Sequence, residues 1–148
     1  MFFLLSSALL AHSALLTEEY YPSRTKGVLE QAVEKGCQQY LCGRIKIKEG
    51  SQEEVRHWFQ VLNDRKDELI EAFALEEVWI ESIFLEHAVD GDYLIYYMRQ
   101  NDLEKAFTAL GKFGLPIRLF HVDHWKKCCH ECILLEPLFD LERQRCAP

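Results

Sequence analysis

Trp79-Ile-Glu-Ser-Ile-Phe-Leu-Glu-His-Ala-Val-Asp-Gly-Asp-Tyr-Leu-Ile-Tyr-Tyr-Met-Arg99 is the stretch that decides the fold. Its Asp90-Gly91 pair separates two runs rich in Ile, Leu, Phe and Tyr, the pattern of a β-hairpin closed by a tight turn. A two-residue loop at Asp90-Gly91 sets Val89 opposite Asp92. Strand side chains alternate, so this register sorts the hairpin into two faces. Ile80, Ser82, Phe84, Glu86, Tyr93, Ile95, Tyr97 and Arg99 share one face. Trp79, Glu81, Ile83, Leu85, His87, Leu94, Tyr96 and Met98 share the other. A four-residue loop keeps this sorting; a three-residue loop reverses one strand against the other. Titratable groups standing among apolar strand positions point to a ligand face or a well-paired interface.

Working outward, Leu41 to Lys48 also alternates, with Gly43, Ile45 and Ile47 against Cys42, Arg44, Lys46 and Lys48. That is a strand with one buried side. Glu49-Gly50 turns the chain, and Ser51-Gln-Glu-Glu54 has the form of a capping box. Val55, Trp58, Phe59, Leu62, Leu69, Ile70 and Phe73 then predict a single long amphipathic helix. After the hairpin, Asn101-Asp-Leu-Glu104 starts a second helix, with Leu103, Ala106, Phe107 and Leu110 inward and Gly111 or Gly114 as its stop. Pro116 suits the first turn of a third helix running to about Lys127. Cys132 to Leu141 is a further alternating strand, and Pro137 within it argues for an edge or a bulge. Upstream, Val28, Leu29, Ala32 and Val33 suggest one short helix ending at Gly36.

This order is the ferredoxin-like split βαβ pattern, an α+β fold with helices on one face of an antiparallel sheet and an extra short helix before the last strand. The expected organisation is an apolar extension and connector over residues 1–40, the domain over 41–141 and a tail over 142–148. The open face of such a sheet must be covered or be polar enough to meet water. Arg44, Lys46 and Lys48 on the first strand can answer the hairpin's Glu and Tyr residues. Face-to-face pairing as a homodimer follows as an expectation.

Composition narrows the function. With 49% hydrophobic residues over 148 positions, the chain can bury one sizeable core. A net charge of -7 argues against nucleic acid and against anionic membrane surfaces, both of which select basic footprints. The six cysteines leave residues 43–127 empty, unlike a disulfide framework, so reduced thiols and a cytoplasmic location are expected. Met1 to Leu16 is largely apolar but falls short of the roughly 20 residues of a membrane span. No basic residue precedes Arg24. Export remains the alternative, with Ala11-His12-Ser13 resembling a cleavage site.

The Arg44-Ile-Lys-Ile-Lys-Glu-Gly-Ser51 entry to the first helix, the Glu81-Ser-Ile-Phe-Leu-Glu86 strand and Asp90-Gly-Asp-Tyr-Leu-Ile-Tyr-Tyr-Met98 resemble a family of small bacterial proteins known only as a domain of unknown function. The resemblance extends more loosely through the His121 helix and the last strand, from Leu41 to about Leu141. It implies a ferredoxin-like α+β fold and carries no activity, cofactor or catalytic residue. The fold is also similar to dimeric α+β barrel proteins, including small monooxygenases, an analogy of fold alone.

Glu81 and Glu86 fall on opposite faces and cannot form a two-carboxylate dyad. Glu86 shares its face with Tyr93, Tyr97 and Arg99, and these four, with His121 nearby, are the candidate ligand-binding residues. The bland counterpart is a structural Glu86 paired with Arg99 or a first-strand lysine, tyrosines that only pack, and a partly buried His121 closing the open side of the sheet. The principal expectation is a binding or interaction module. The alternative is a cofactor-independent oxygenase or isomerase, which requires one pocket receiving Glu86 and His121 together. His124 and Cys128, one helical turn apart, with Cys132 beyond, form a weak zinc pattern. No phosphate loop, dinucleotide turn, nucleophile elbow or metalloprotease motif is present, and no cofactor is expected.

Overall fold

A computed structural model describes residues 24–35, 39–106, 109 and 115–142. Strand β1 (Tyr40–Ile47) follows the expected alternation: Leu41, Ile45 and Ile47 are buried, while Cys42, Arg44 and Lys46 are half-exposed. It pairs antiparallel with β3 (Gly91–Gln100) on one side and β4 (Cys129–Leu134) on the other. Strand β2 (Val78–Ala88) completes the hairpin with β3. Among the described residues the sheet order is β2-β3-β1-β4, every neighbour antiparallel. With helices α1 (Arg24–Lys35), α2 (Gln52–Asp64), α3 (Lys66–Glu76) and α4 (Pro116–Cys128), this is an α+β architecture built on an open four-stranded sheet. Residues 103–106 form a further helical turn, capped by the Asp102 carboxylate accepting from the Lys105 amide at 2.9 Å.

The core lies on the Leu41–Ile45–Ile47 face. One cluster joins Ile45, Ile47 and Leu94 of the sheet to Val55, Trp58 and Leu62 of α2 and Ile117 and Cys128 of α4. A second joins Leu41, Met98 and Leu134 to Ala32 of α1, Val78, Leu103 and Ala106. Gly43 faces this side too, because any side chain there would overlap the Cys132 thiol.

The hairpin turns one residue earlier than expected, which moves the partner of each β3 residue two positions back along β2. Val89 and Asp90 form the loop, and Ala88 pairs with Gly91. Gly91 sits at φ +132°, where a Cβ would also crowd the Lys46 side chain. A shift of this parity leaves the sorting of faces intact: Glu86 pairs with Tyr93, Phe84 with Ile95 and Ser82 with Tyr97. Trp79 departs from it. The register slips between Val78 and Ile80, so Val78 enters the core and the Trp79 indole is exposed, donating to Asn101 Oδ1 at 2.7 Å.

The long helix expected from Ser51 to Phe73 is two helices. Asn63 and Asp64 are weak helix formers, and Arg65 leaves helical geometry (φ -117°, ψ 32°) with its side chain turned to Glu68. The new direction of α3 buries Ala72 and Glu76 and leaves Ile70 exposed. Nor does the capping box form: Ser51 makes no side-chain cap bond, and the acidic Glu53 and Glu54 in the first turn complement the helix dipole instead. Strand β4 starts three residues before the expected Cys132 because Cys129 is already extended as α4 ends. It stops at Leu134, ahead of Pro137, and is an edge strand. Met1 to Leu16, Gly36, Cys37, Phe107, Leu110, Gly111, Gly114 and Cys146 lie outside the described residues.

Candidate functional site

Two polar assemblies lie on opposite sides of the sheet. On the open face, Arg44 of β1 donates from Nε to Glu86 Oε2 at 2.8 Å and lays its guanidinium 3.4 Å from the centre of the Tyr93 ring. The Glu86 hydrogen bond pushes the Arg44 pKa up. Tyr93 donates its hydroxyl to Asp90 Oδ2 at 2.6 Å, which holds the Asp90 carboxyl below its usual range. Lys46 lies 3.6 Å from the same Asp90. A groove of about 890 Å³ runs beside them, lined by Arg44, Lys46, Tyr93, His130 and Ile133 among others.

Arg99 and Tyr97 stand farther along β3. Arg99 donates from Nε to the Tyr97 hydroxyl at 3.2 Å, the chief cause of its raised pKa, and pairs with Asp140 and Glu142 of the chain beyond β4. The four expected hairpin residues therefore share a face but form two pairs. Arg44 is the partner of Glu86, in place of Arg99 or a lysine.

His121 is on the other side. It is fully buried under α2, so it does not close the open face. Trp58 Nε1 donates to His121 Nδ1 at 3.1 Å, which leaves the proton of a neutral imidazole on Nε2, 3.5 Å from Glu81 Oε1. Burial and the Arg118 charge hold the His121 pKa well below 6.5. Tyr96 donates to Glu81 Oε2 at 3.0 Å. Arg118 of α4 grips Glu76 of α3 through two hydrogen bonds of 2.8 and 3.0 Å and lies 3.8 Å from Glu81. Burial pushes the Glu76 carboxyl up, with Arg118 opposing. One guanidinium thus faces two carboxylates in the interior.

Glu86 and His121 lie on opposite sides of the sheet, so no one pocket among the described residues receives both. Glu76, Glu81, Arg118 and Trp58 were not anticipated as a cluster. The available signals were Glu81 on the inward-facing set of β2 and an arginine one turn before His121 on an otherwise buried stripe. Neither tells which strand faces which turn of helix.

Of the weak zinc set, His124 places Nδ1 2.8 Å from the Phe120 carbonyl and Nε2 3.1 Å from Glu54, while Cys128 lies in the core. Burial pushes the Cys132 thiol up to about 12. No cluster of three or more His, Cys, Asp or Glu suited to a metal ion occurs among the described residues. Among them, no helix is long and apolar enough to cross a membrane.

No curated protein and no solved structure matches the chain. Residues 38–145 match the family of unknown function DUF6176, and the chain belongs to that family.

Proposed function

We propose that this protein is a ferredoxin-like binding or interaction module that works as a homodimer through the open face of its sheet. The strand order supports the fold reading. Taken from the far edge it runs β4-β1-β3-β2, with β3 inserted between β1 and β2, and β1 inserted between β3 and β4. The observation that carries the functional reading is the makeup of the open face. Ile80, Phe84, Ile133 and Leu135 are exposed there around the Arg44–Glu86 pair. Apolar surface interspersed with paired charge is the character of a protein interface.

Sedimentation velocity tests the reading. Ile133→Glu, which puts a charge on the open face, should sediment at lower mass than the unsubstituted chain, with unchanged circular dichroism. A dimer unaffected by Ile133→Glu would remove the open face as its seat. The enzyme reading has no comparable support, because Glu86 and His121 lie on opposite sides of the sheet.

A further inference from the structure

The two edges of the sheet are treated differently. At the β4 edge, α1 supplies partners: Gln31 donates to the Cys132 carbonyl and accepts from the Leu134 amide, and Lys35 donates to the Leu134 carbonyl. A side-chain amide thereby stands in for a missing strand. The β2 edge has no equivalent. Strand β2 ends the sheet, and no backbone hydrogen bond joins its outer side to another element among the described residues. Its eleven residues include no proline and no lysine, two of the guards of an open edge, and its register slip is confined to the Val78–Ile80 end. Every second residue of an edge strand turns its N–H and C=O outward, and these groups seek an extended partner.

The sequence of β2 fits that partner to itself. Its exposed large apolar residues are Trp79, Ile80, Phe84 and Leu85, which lie symmetrically about Ser82. Antiparallel pairing of two copies about a twofold axis at Ser82 sets Ile80 against the second copy's Phe84 on the open face. Over the regular stretch from Ile80 to Phe84 it opposes no like charges, since Glu81 meets Ile83. Trp79, at the register slip, flanks this stretch on one side and Leu85 on the other. A small side chain stands at the axis, where the two strands come closest. Beside the edge, a cleft of about 350 Å³ between α2 and β2, lined by Val55, Phe59, Ile83 and Leu85 among others, offers further apolar wall to the incoming strand.

We infer that β2 is a second interface, distinct from the open face, at which two copies of the chain join edge to edge into a continuous eight-stranded sheet. Pairing at this edge leaves the open face available. The symmetry of the four apolar residues selects a second copy over an unrelated peptide, whose sequence would have no reason to mirror β2.

Two substitutions separate the surfaces. Leu85→Lys charges the helix side of the β2 edge, and Ile133→Glu charges the open face at the other end of the sheet. Sedimentation across a dilution series should show assemblies that lose mass in Leu85→Lys, and β2 amides whose hydrogen exchange quickens on dilution. Ser82→Cys should give a cross-linked dimer under mild oxidation that the unsubstituted chain does not give. Mass lost only in Ile133→Glu, with β2 exchange independent of concentration, would overturn the edge interface and leave the open-face reading standing. Mass lost only in Leu85→Lys would do the reverse, and mass lost in both supports both surfaces. Should Leu85→Lys fail to fold, Ser82→Cys and the exchange of the unsubstituted chain decide alone. Absence of both the cross-link and the concentration dependence overturns the proposal.

Discussion

Arg118 holds the buried cluster together, and its removal should be the most damaging change available there. Arg118→Ala leaves Glu76 and Glu81 buried without their shared cation, a loss of about 3–5 kcal/mol read from urea denaturation midpoints. Glu76→Leu combined with Arg118→Met removes a charge of each sign and should cost less than Arg118→Ala alone. His121 gives the cluster a pH signature. Its folded pKa lies well below the unfolded 6.5, so as pH falls the unfolded chain takes up the proton first. Its contribution is full above about 6.5 and is lost in the window below, towards its folded value. Glu76 acts with the opposite sign: its folded pKa is raised above 4.5, so its contribution is full below that value and fades as pH rises through the folded pKa. The difference in unfolding free energy between the unsubstituted chain and His121→Gln, measured from neutral pH down to about 5, isolates the histidine and should shrink with falling pH. Glu86 and Tyr93 were legible as neighbours because strand parity alone dictates their face. The partners of His121 were not, because Trp58 comes from α2 and Glu81 from β2, and no local pattern orients those elements about α4.

The β1–β4 ladder shows how an element's packing depends on a residue with no side chain. Gly43 lies opposite Leu134, and the Cys132 thiol occupies the space its Cβ would take. Gly43→Ala should therefore cost about 1–3 kcal/mol through overpacking. Cys132→Ala in the same chain should recover most of that loss, since the obstructing sulfur is gone; a thermal melt of the single and double variants checks this. Alternation made β1 and the hairpin readable, because a half-buried strand writes its two faces directly into the sequence. The break at Arg65 escaped because the apolar spacing from Val55 to Phe73 continues across it, and periodicity does not register a change of axis. The early start of β4 escaped for a related reason: Cys128 and Cys129 are both buried, one ending a helix and one opening a strand, with no polar loop between them.

At the scale of the whole molecule, α1 alters where the folding unit begins. Residues before Leu41 read as a connector, and the family match itself starts at residue 38. Yet Ala32 of α1 is buried with Leu41, Met98 and Leu134, and Gln31 bonds to the backbone of Cys132, 101 residues away. A surface formed only when β4 reaches the sheet edge leaves no mark in the sequence around α1. The chain from residue 38 onward should consequently be less stable than the full chain. Uncovering part of Leu41 and Leu134 amounts to on the order of 2–4 kcal/mol. The same truncation also frees the outward N–H and C=O groups of β4, so both edges of the sheet become open to pairing. The truncated chain should unfold at lower urea, exchange its Leu134 amide faster and associate at concentrations where the full chain does not. Equal urea midpoints for the two chains would mean that α1 adds no stability and that its contacts with β4 are incidental. Lower stability without new association would instead locate the effect in the core beneath α1 and leave the edge uninvolved.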